Sequence, residues 1–235
     1  MAFNSTFGRV FSPTFQPRSV ASGVEPWWLS GGIAAANCVA AYQPKGAASY
    51  EASKVNLNSP GTYDAVDGTA YPTWNATNGW MFNQSFLQYL TTGLIPIVTS
   101  YNWSLMVRYS NADTNTQYTG IAGRYVSNRY FCLLQKEYSL TGFRHGSGTL
   151  EAGQSLTSGV SGFCGNQAYQ NGTNVGQISI TVGASTTVPM SIGALQTGAT
   201  TWSYYFTGNI LALAVYDSTL TPTQVGLLTT AMNAL

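Results

Sequence analysis

The sequence predicts an all-β fold, in which two antiparallel sheets form a sandwich and one short helix ends the chain. Roughly ten to fourteen strand-length segments follow one another, separated by Gly, Pro, Asn and Ser. Several of these segments alternate apolar with polar residues, which is the period of a strand with one buried face. Many short strands with a single terminal helix favour a two-sheet antiparallel sandwich.

The C-terminal region carries the most specific local signals. Residues 210–216 form an apolar run of strand length, in which Ala212 and Ala214 alternate with larger side chains. Both faces of this strand are therefore expected to be covered, one of them by close-packed small residues. The sequence then specifies a helix start: Thr221 can cap, Pro222 suits the first helical position, and Gln224 completes a capping box. Apolar residues recur after it at helical spacing, at Val225, Leu228, Met232 and Leu235.

The other elements follow from turn residues and alternation. An Ala-rich turn at residues 33–37 leads into a first strand, and residues 44–75 read as a loop-rich crossing with short strands. Residues 80–83 and 88–92 are predicted to pair across a short turn, and residues 103–109 alternate as a half-buried strand. The later predicted strands cover residues 120–125, 129–135, 138–144, 159–164, 166–170, 188–193 and 202–207, with the hairpin dipeptide Asn171-Gly172 after the fifth of them.

The first 32 residues differ from the rest of the chain. Prolines and glycines interrupt their aromatic pattern, so an extended segment is expected rather than a helix. Residues 1–26 are predicted to be an ordered arm that lies across another surface, and Trp27-Trp28 is expected to act as an apolar plug. The division is an arm at residues 1–32 and one sandwich domain at residues 33–235. The predicted assembly residues of the arm are Phe3, Phe7, Phe11, Phe15, Trp27 and Trp28.

The composition of this chain of 235 residues restricts the classes of partner that it is expected to bind. Charged residues make up 7%, against about 25% in an average domain, and there are 15 tyrosines. This composition favours a neutral surface built for contact with other molecules. Nucleic-acid binding is not expected, because the net charge is +1 and the basic residues are scattered. Neither a membrane-spanning segment nor a secretory signal is predicted.

Short motifs, in a fixed order along the chain, resemble those of laminin-G-like domains in the concanavalin A-like lectin/glucanase superfamily. They are Gly79-Trp80-Met81-Phe82-Asn83, Gln88-Tyr89-Leu90, Tyr169-Gln170-Asn171-Gly172, Ser191-Ile192-Gly193, and the final strand from Phe206 with the helix start Leu220-Thr221 and Gln224. The N-terminal sequence is similar to that of laminin-G-like proteins encoded by bacteriophages, at Trp27-Trp28-Leu29-Ser30 and around Tyr42-Gln43-Pro44. The resemblance implies a jelly-roll sandwich over about residues 38–235.

Catalysis is not expected from the distribution of reactive side chains. Glycan-cleaving enzymes of the superfamily need two carboxylates at a matched separation, and the eight acidic residues here are dispersed. His145, the chain's one histidine, stands at a predicted strand end without a nucleophile motif, so it is interpreted as a turn residue that hydrogen-bonds a loop.

No cofactor is predicted, and calcium is the metal that the resemblance implies. Asp64, Asp67 and Asp113 would be its donors, but no dense acidic loop surrounds them. The three cysteines, Cys38, Cys132 and Cys164, are odd in number and far apart, so a disulfide framework is not expected. The sequence leaves a bridge between one pair open, whereas Cys132 reads as a buried free thiol.

Sugar binding would need an aromatic face with amide and hydroxyl partners nearby. The candidate glycan-binding residues are Trp74, Trp80, Trp202 and Tyr204, with Asn75, Asn78 and Gln196 as neighbouring polar groups. Most tryptophans in sandwiches pack in the core, so each candidate competes with a structural role.

The sequence favours two functions over a third. The first is a non-enzymatic structural virion protein of a bacteriophage, on the capsid, a fibre or the tail, fastened through its arm to copies of itself and other virion proteins. The second is a lectin-like module that recognises host or environmental glycans. An enzyme is the third alternative and would need turnover that depends on His145 or a carboxylate.

Overall fold

The computed structural model describes residues 25–179 and 184–235, and it confirms the predicted two-sheet jelly-roll sandwich with one C-terminal helix. Within these residues the sandwich consists of sheet I and sheet II. The strands of sheet I are β1 Cys38–Tyr42, β3 Thr73–Asn75, β4 Gly79–Phe82, β6 Ser104–Ser110, β11 Gly159–Cys164, β12 Gln167–Gln170, β13 Thr173–Gln177 and β17 Gly208–Tyr216. The strands of sheet II are β2 Val66–Asp67, β5 Leu90–Thr91, β7 Thr119–Arg124, β8 Tyr130–Glu137, β9 Leu140–Gly146, β10 Gly148–Ala152, β14 Ser191–Ile192, β15 Leu195–Gly198 and β16 Thr201–Ser203.

Both sheets are antiparallel apart from one parallel bridge between β15 and β7. Sheet I runs in the order β13-β12-β11-β6-β17-β4-β3, and β1 also pairs with β17. Sheet II runs in the order β10-β9-β8-β7-β14-β5-β2, and β15 joins it at β7 while pairing with β16. The helices in the described ranges are α1 Tyr50–Ser53, α2 Pro222–Ala234 and three short 3-10 helices at Trp27–Leu29, Ala35–Asn37 and Gln84–Phe86.

The main core lies between the inner faces of the two sheets. It is aromatic and aliphatic, and Trp80, Tyr109, Phe131, Phe163 and Phe206 are among its fully or almost fully buried members. The final strand β17 lies at the centre of sheet I between β6 and the pair β1 and β4, so every one of its residues is buried. This confirms that both of its faces are covered.

A second core covers the outer face of sheet I. Helix α2 places Val225, Leu228 and Met232 over Ala212 and Ala214, so the small residues of β17 make room for the helix. The helix begins as predicted, with a capping box between Thr221 and Gln224 and Pro222 in the first turn. The three cysteines are buried and free, which matches the interpretation of Cys132 as a small apolar residue.

Two local predictions were wrong. Strands β4 and β5 do not pair, because β4 belongs to sheet I and β5 to sheet II. Asn83 caps the 3-10 helix Gln84–Phe86, and Leu87 adopts a left-handed backbone with φ 53°, which redirects the chain between sheets. Strand β6 is also more buried than predicted, since Met106 packs in the outer core under α2 instead of facing solvent.

The structure changes the interpretation of Trp27. Trp27 is 8% exposed, packs in the core beneath α2, and donates through Nε1 to Gln43 Oε1 at 2.9 Å. Trp28 is half-buried against the same cluster and crosses Trp27 edge to face. Both rings therefore pack on their own domain, as expected of an apolar plug, and Trp28 keeps part of its surface accessible. Phe3, Phe7, Phe11 and Phe15 lie outside the described residues.

Candidate functional site

A stack of two aromatic rings stands at the β2–β5 end of sheet II. Tyr89, just before β5, lies against Gly68 on one side, where a Cβ on that glycine would be 2.5 Å from the ring. Its other side faces Trp202, with ring centroids 4.4 Å apart and planes 22° from parallel. The Tyr89 hydroxyl accepts from Thr69 N at 3.3 Å, which fixes the ring in place. Trp202 is half-buried and is the outer member of this stack.

The β15–β16 hairpin carries Trp202 to this position. Trp202 is the register partner of Gln196, whose own neighbour across the sheet is Arg124 of β7. The amide of Gln196 donates to the carbonyls of Gly198 and Ala199 at 3.1 Å, so it ties the hairpin tip to β15. The predicted polar group Gln196 therefore has a structural role and is buried.

A cleft of about 550 Å³ opens beside the stack. Its described lining is aromatic, aliphatic and hydroxylic, and it contains Thr69, Ala70, Phe86, Leu87, Tyr89, Thr200, Thr201, Trp202 and Tyr205. Phe86 is 64% exposed and Leu87 55% exposed, which is unusual for large apolar side chains on one short loop. The cleft is thus a concave apolar surface with a few hydroxyl groups, as small-molecule sites usually are.

The lining has no charged side chain among these described residues. The indole Nε1 of Trp202 is buried and has no hydrogen-bond partner within the described part of the chain. A buried donor without an acceptor costs about 1–3 kcal/mol, and because this nitrogen is inaccessible it is not a donor for a ligand in the cleft. Tyr205 donates to the Trp202 carbonyl at 3.4 Å, and burial raises the pKa of its phenol. The site therefore offers aromatic faces and neutral donors.

The structure separates the four predicted glycan-binding residues. Trp80 is fully buried and donates to Ser53 Oγ at 2.8 Å, so it is a core residue that no ligand can reach. Trp74 packs against the same core and donates to the carbonyl of Pro44 at 2.8 Å. Only Trp202 lies in the cleft, whereas Tyr204 points to a separate tyrosine cluster with Tyr118 and Tyr125.

Sequence reasoning did not identify Tyr89, Phe86 and Leu87 as site residues. Tyr89 reads as an ordinary strand aromatic, and its partner Trp202 is more than a hundred positions away. Phe86 and Leu87 read as part of a hairpin between two paired strands. The Asn83 cap and the Gln84-Ser85 pair were the available signals that this stretch turns outward.

His145 is a core residue within strand β9 rather than a turn residue. It is fully buried on β9, its Nδ1 lies 2.8 Å from the Gly165 carbonyl oxygen, and its ring packs on Phe131 and Phe163. Nδ1 must carry the proton because its partner is a carbonyl oxygen. Burial lowers the pKa of His145, which keeps the ring neutral. The predicted hydrogen bond to a loop is therefore present, in a buried setting.

The carboxylates considered for calcium already have protein partners. Asp64 accepts from the backbone of Asn56 at 2.8 Å, and Asp67 accepts from Tyr50 at 2.6 Å and from Lys54 at 3.2 Å. Asp113 accepts from the backbone of Asn115 and from a threonine hydroxyl, which lowers its pKa. In residues 25–179 and 184–235 no three His, Cys, Asp or Glu side chains converge to hold a metal ion.

Comparison with known proteins gives the fold. No protein-family model matches the sequence, and no curated protein is significantly similar to it. Domain 4 of AbnA, a GH43 extracellular arabinanase from Geobacillus stearothermophilus, solved in complex with arabinotriose, is similar in structure with a TM-score of 0.53 and 16% identity. The match covers 82% of this chain and 98% of that domain.

Trypanosoma rangeli sialidase contains a similar sandwich, with a TM-score of 0.55 and 14% identity over 92% of this chain. The match spans 36% of the sialidase, so it concerns about one third of that protein. At these identities the likeness shows a shared β-sandwich fold. In the described ranges, no helix is long and apolar enough to span a bilayer.

Proposed function

We propose that this chain is a non-enzymatic carbohydrate-binding module that holds a neutral glycan in the cleft beside Trp202. The observation that carries the proposal is the uncharged cleft whose wall is the Trp202–Tyr89 stack. Sugar rings present a face of C–H groups that packs on an aromatic ring, and their hydroxyls need donors and acceptors at the edge of that contact. The threonine hydroxyls of the lining supply such groups here.

The absence of charge in the described lining argues for a neutral sugar. An anionic sugar such as sialic acid would lose hydration on entering the cleft and would find no cation there to compensate. Domain 4 of AbnA was solved with arabinotriose, a neutral oligosaccharide, and this supports testing the same ligand class.

The cleft also argues for binding without turnover. Glycoside hydrolysis requires two carboxyl groups on either side of the scissile bond. None of the nine described lining residues is acidic, and His145 is buried between the sheets and away from this lining. Trp202 and its neighbours can therefore hold a glycan but lack the acid and base that would cleave it.

The test is calorimetric titration with arabinotriose and a panel of neutral oligosaccharides, with sialyllactose as the anionic comparison. We expect binding to a neutral member of the panel and a loss of roughly tenfold or more in Trp202→Ala, which corresponds to about 1.4 kcal/mol. Trp202→Phe should retain an intermediate affinity because it keeps an aromatic face.

Leu227→Ala is the matched control, since Leu227 is 48% exposed on α2 and lies outside the cleft. It should bind as the parent does. The proposal is wrong if Trp202→Ala and Leu227→Ala behave alike, or if sialyllactose binds better than every neutral sugar.

A second candidate is a structural component of a phage particle, located in the virion and assembled through its N-terminal segment. Its support is the low charge together with exposed apolar side chains, such as Val66 at 60% and Ile97 at 56%. Because Trp27 packs on its own domain, the anchoring segment would be the predicted arm, residues 1–26. Light scattering should then show self-association of the full chain and a monomer for a chain that begins at Trp27. The same oligomeric state for the two chains would exclude this role for the segment.

A further inference from the structure

Three tyrosines meet on the outer face of sheet II, away from the Trp202 cleft. Tyr118 precedes β7, Tyr138 lies in the β8–β9 turn, and Tyr204 follows β16. The rings of Tyr118 and Tyr138 are 5.4 Å apart and edge to face, and Tyr118 and Tyr204 are 6.3 Å apart. Tyr138 is 56% exposed and the other two are half-buried. The three rings therefore form an accessible aromatic group, which we call the tyrosine triad.

Each member of the tyrosine triad has a left-handed backbone. The φ angles are 58° at Tyr118, 55° at Tyr138 and 57° at Tyr204. Bulky side chains rarely adopt this conformation, which Gly and Asn accept at much lower cost. Strain of this kind persists where the surrounding fold imposes it, and it is concentrated at ligand clamps and active sites.

Two carboxylates lie beside the tyrosine triad. Glu137 is 3% exposed, and its Oε2 is located over Gly142, where a Cβ would be 2.5 Å away. Glu151 is the register partner of Gly142 on β10, and directly opposed residues point to the same face of a sheet. A hydrogen bond with Tyr138 raises the pKa of Tyr118 to about 12, and Glu137 and Glu151 contribute in the same direction. Both carboxylates therefore act on the triad.

One cation, the Arg144 guanidinium, is already present, and it neutralises only part of the negative charge of Glu137 and Glu151. Arg144 forms a buried ion pair with Glu137 Oε1, and its guanidinium lies 5.2 Å from the Tyr125 ring centroid and 5.5 Å from that of Tyr130. Glu137 Oε2 is buried without a hydrogen-bond partner among the described residues. The negative charge that Arg144 leaves unpaired is therefore that of Glu151, while Glu137 Oε2 stays buried over Gly142.

We propose that the tyrosine triad, with Glu137 and Glu151, binds an organic cation that carries an alkylated ammonium group. Aromatic faces attract such cations through their quadrupole, and alkyl groups make the cation easier to desolvate than a bare ammonium ion. The carboxylates add electrostatic attraction, which salt screens at the exposed Glu151 more than at the buried Glu137. This site shares no lining residue with the Trp202 cleft, although Tyr204 adjoins Tyr205 of that lining in sequence.

Choline and its uncharged isostere 3,3-dimethylbutan-1-ol provide the primary test, because they differ in charge and hardly in shape. In an NMR titration of the full chain, choline should shift resonances of the tyrosine triad. We expect the neutral isostere to bind at least about tenfold more weakly. Equal affinities, or no shift with choline up to molar concentration, would overturn the proposal.

Tyr138→Asn separates binding from folding. Asparagine accepts the left-handed backbone, so the melting temperature should stay the same or rise, while choline affinity falls by about tenfold or more. Glu151→Gln, at an exposed position, should weaken choline binding and leave the isostere unchanged. Leu227→Ala, which changes neither proposed site, should bind choline as the parent does. Retained choline affinity in both Tyr138→Asn and Glu151→Gln would contradict the assignment.

Discussion

At the scale of single residues, His145 shows how burial determines the protonation state of a side chain. Its Nδ1–H is bonded to the Gly165 carbonyl oxygen, whereas Nε2 is buried without a partner in the described chain. A charged imidazole would need a second acceptor there, in surroundings formed by Phe131 and Phe163. The folded protein therefore favours the neutral ring.

We predict that acid destabilises the protein through His145. Below the unfolded pKa of about 6.5, the unfolded chain takes up a proton that the folded ring resists, so stability decreases as the pH falls. The decrease should reach at most about 1.4 kcal/mol per pH unit in the free energy of unfolding. Urea unfolding at pH about 7.5 and about 5 measures it.

His145→Gln, which can still donate to Gly165, is the comparison. It should be less stable at neutral pH and should lose much of the dependence between pH about 7.5 and 5. If the free energy of unfolding changed with pH equally in both proteins, the effect would be assigned to carboxylates instead.

Gly68 supports the cleft without lining it. A Cβ at this position would be 2.5 Å from the Tyr89 ring, so Gly68→Ala must displace Tyr89 and with it the Trp202 stack. We expect weaker binding of the neutral glycan, by roughly threefold to tenfold, with the protein still folded. Titration with the best-binding oligosaccharide measures this. Gly93→Ala is no suitable control, because Gly93 has a positive φ of 67°, but Gly226→Ala on α2 has open space at its Cβ and should bind normally.

At the scale of elements, α2 covers the outer face of sheet I. Its N-terminus is closed by the Thr221–Gln224 capping box, and the carbonyl of Met232 near its C-terminus accepts from Arg108 of β6 at 2.7 Å. Both ends are therefore satisfied, one by local sequence and one by a residue more than a hundred positions away. The helix fixes the outer core over β17, which in turn holds β6 and β4 in place.

Thr221→Ala should lower the free energy of unfolding by about 1 kcal/mol, because it removes the side chain that accepts from Gln224 N at 3.3 Å. Thr230→Ala is the matched control within the same helix. It removes an exposed hydroxyl that bonds only the Gly226 carbonyl, and alanine is the better helix former, so stability should be unchanged or slightly higher. Equal losses in the two variants would show that the cap contributes nothing specific.

At the scale of the whole molecule, the two sheets have different roles. The outer face of sheet I is buried under α2 and the 3-10 helix Trp27–Leu29, whereas sheet II carries the tyrosine triad on its outer face and the Trp202 cleft at one end. The chain has few charges and a net charge of +1, so long-range electrostatic steering is weak and local charge dominates each site.

Salt should therefore distinguish the two proposed sites. Glycan binding in the uncharged cleft should be unchanged between about 0.05 M and about 0.5 M NaCl, whereas choline binding beside Glu137 and Glu151 should weaken, since screening acts on charge pairs. Titrations of one protein sample with both ligands measure this. A salt-dependent glycan affinity would contradict the neutral description of the cleft.

The sequence by itself determined the local and periodic features: the all-β class, the covered strand β17, the capped helix α2 and the Asn171-Gly172 turn. These depend on alternation, on capping chemistry and on backbone preferences within a few residues. The sequence also identified Trp202 as a candidate glycan-binding residue. It identified Trp80 and Trp74 in the same way, because they have the same residue type and only their environment differs.

Only the tertiary structure decided which aromatic residues are available to a ligand. Trp80 lies between the sheets, Trp27 lies beneath α2, and Trp202 is held at the edge of sheet II by a hairpin that pairs with a distant strand. The same holds for Glu137 and Glu151, which lie far enough apart in sequence to read as dispersed but which strands β8, β9 and β10 bring to Gly142. Strand pairing between distant segments sets these positions, and no local signal in the sequence encodes it.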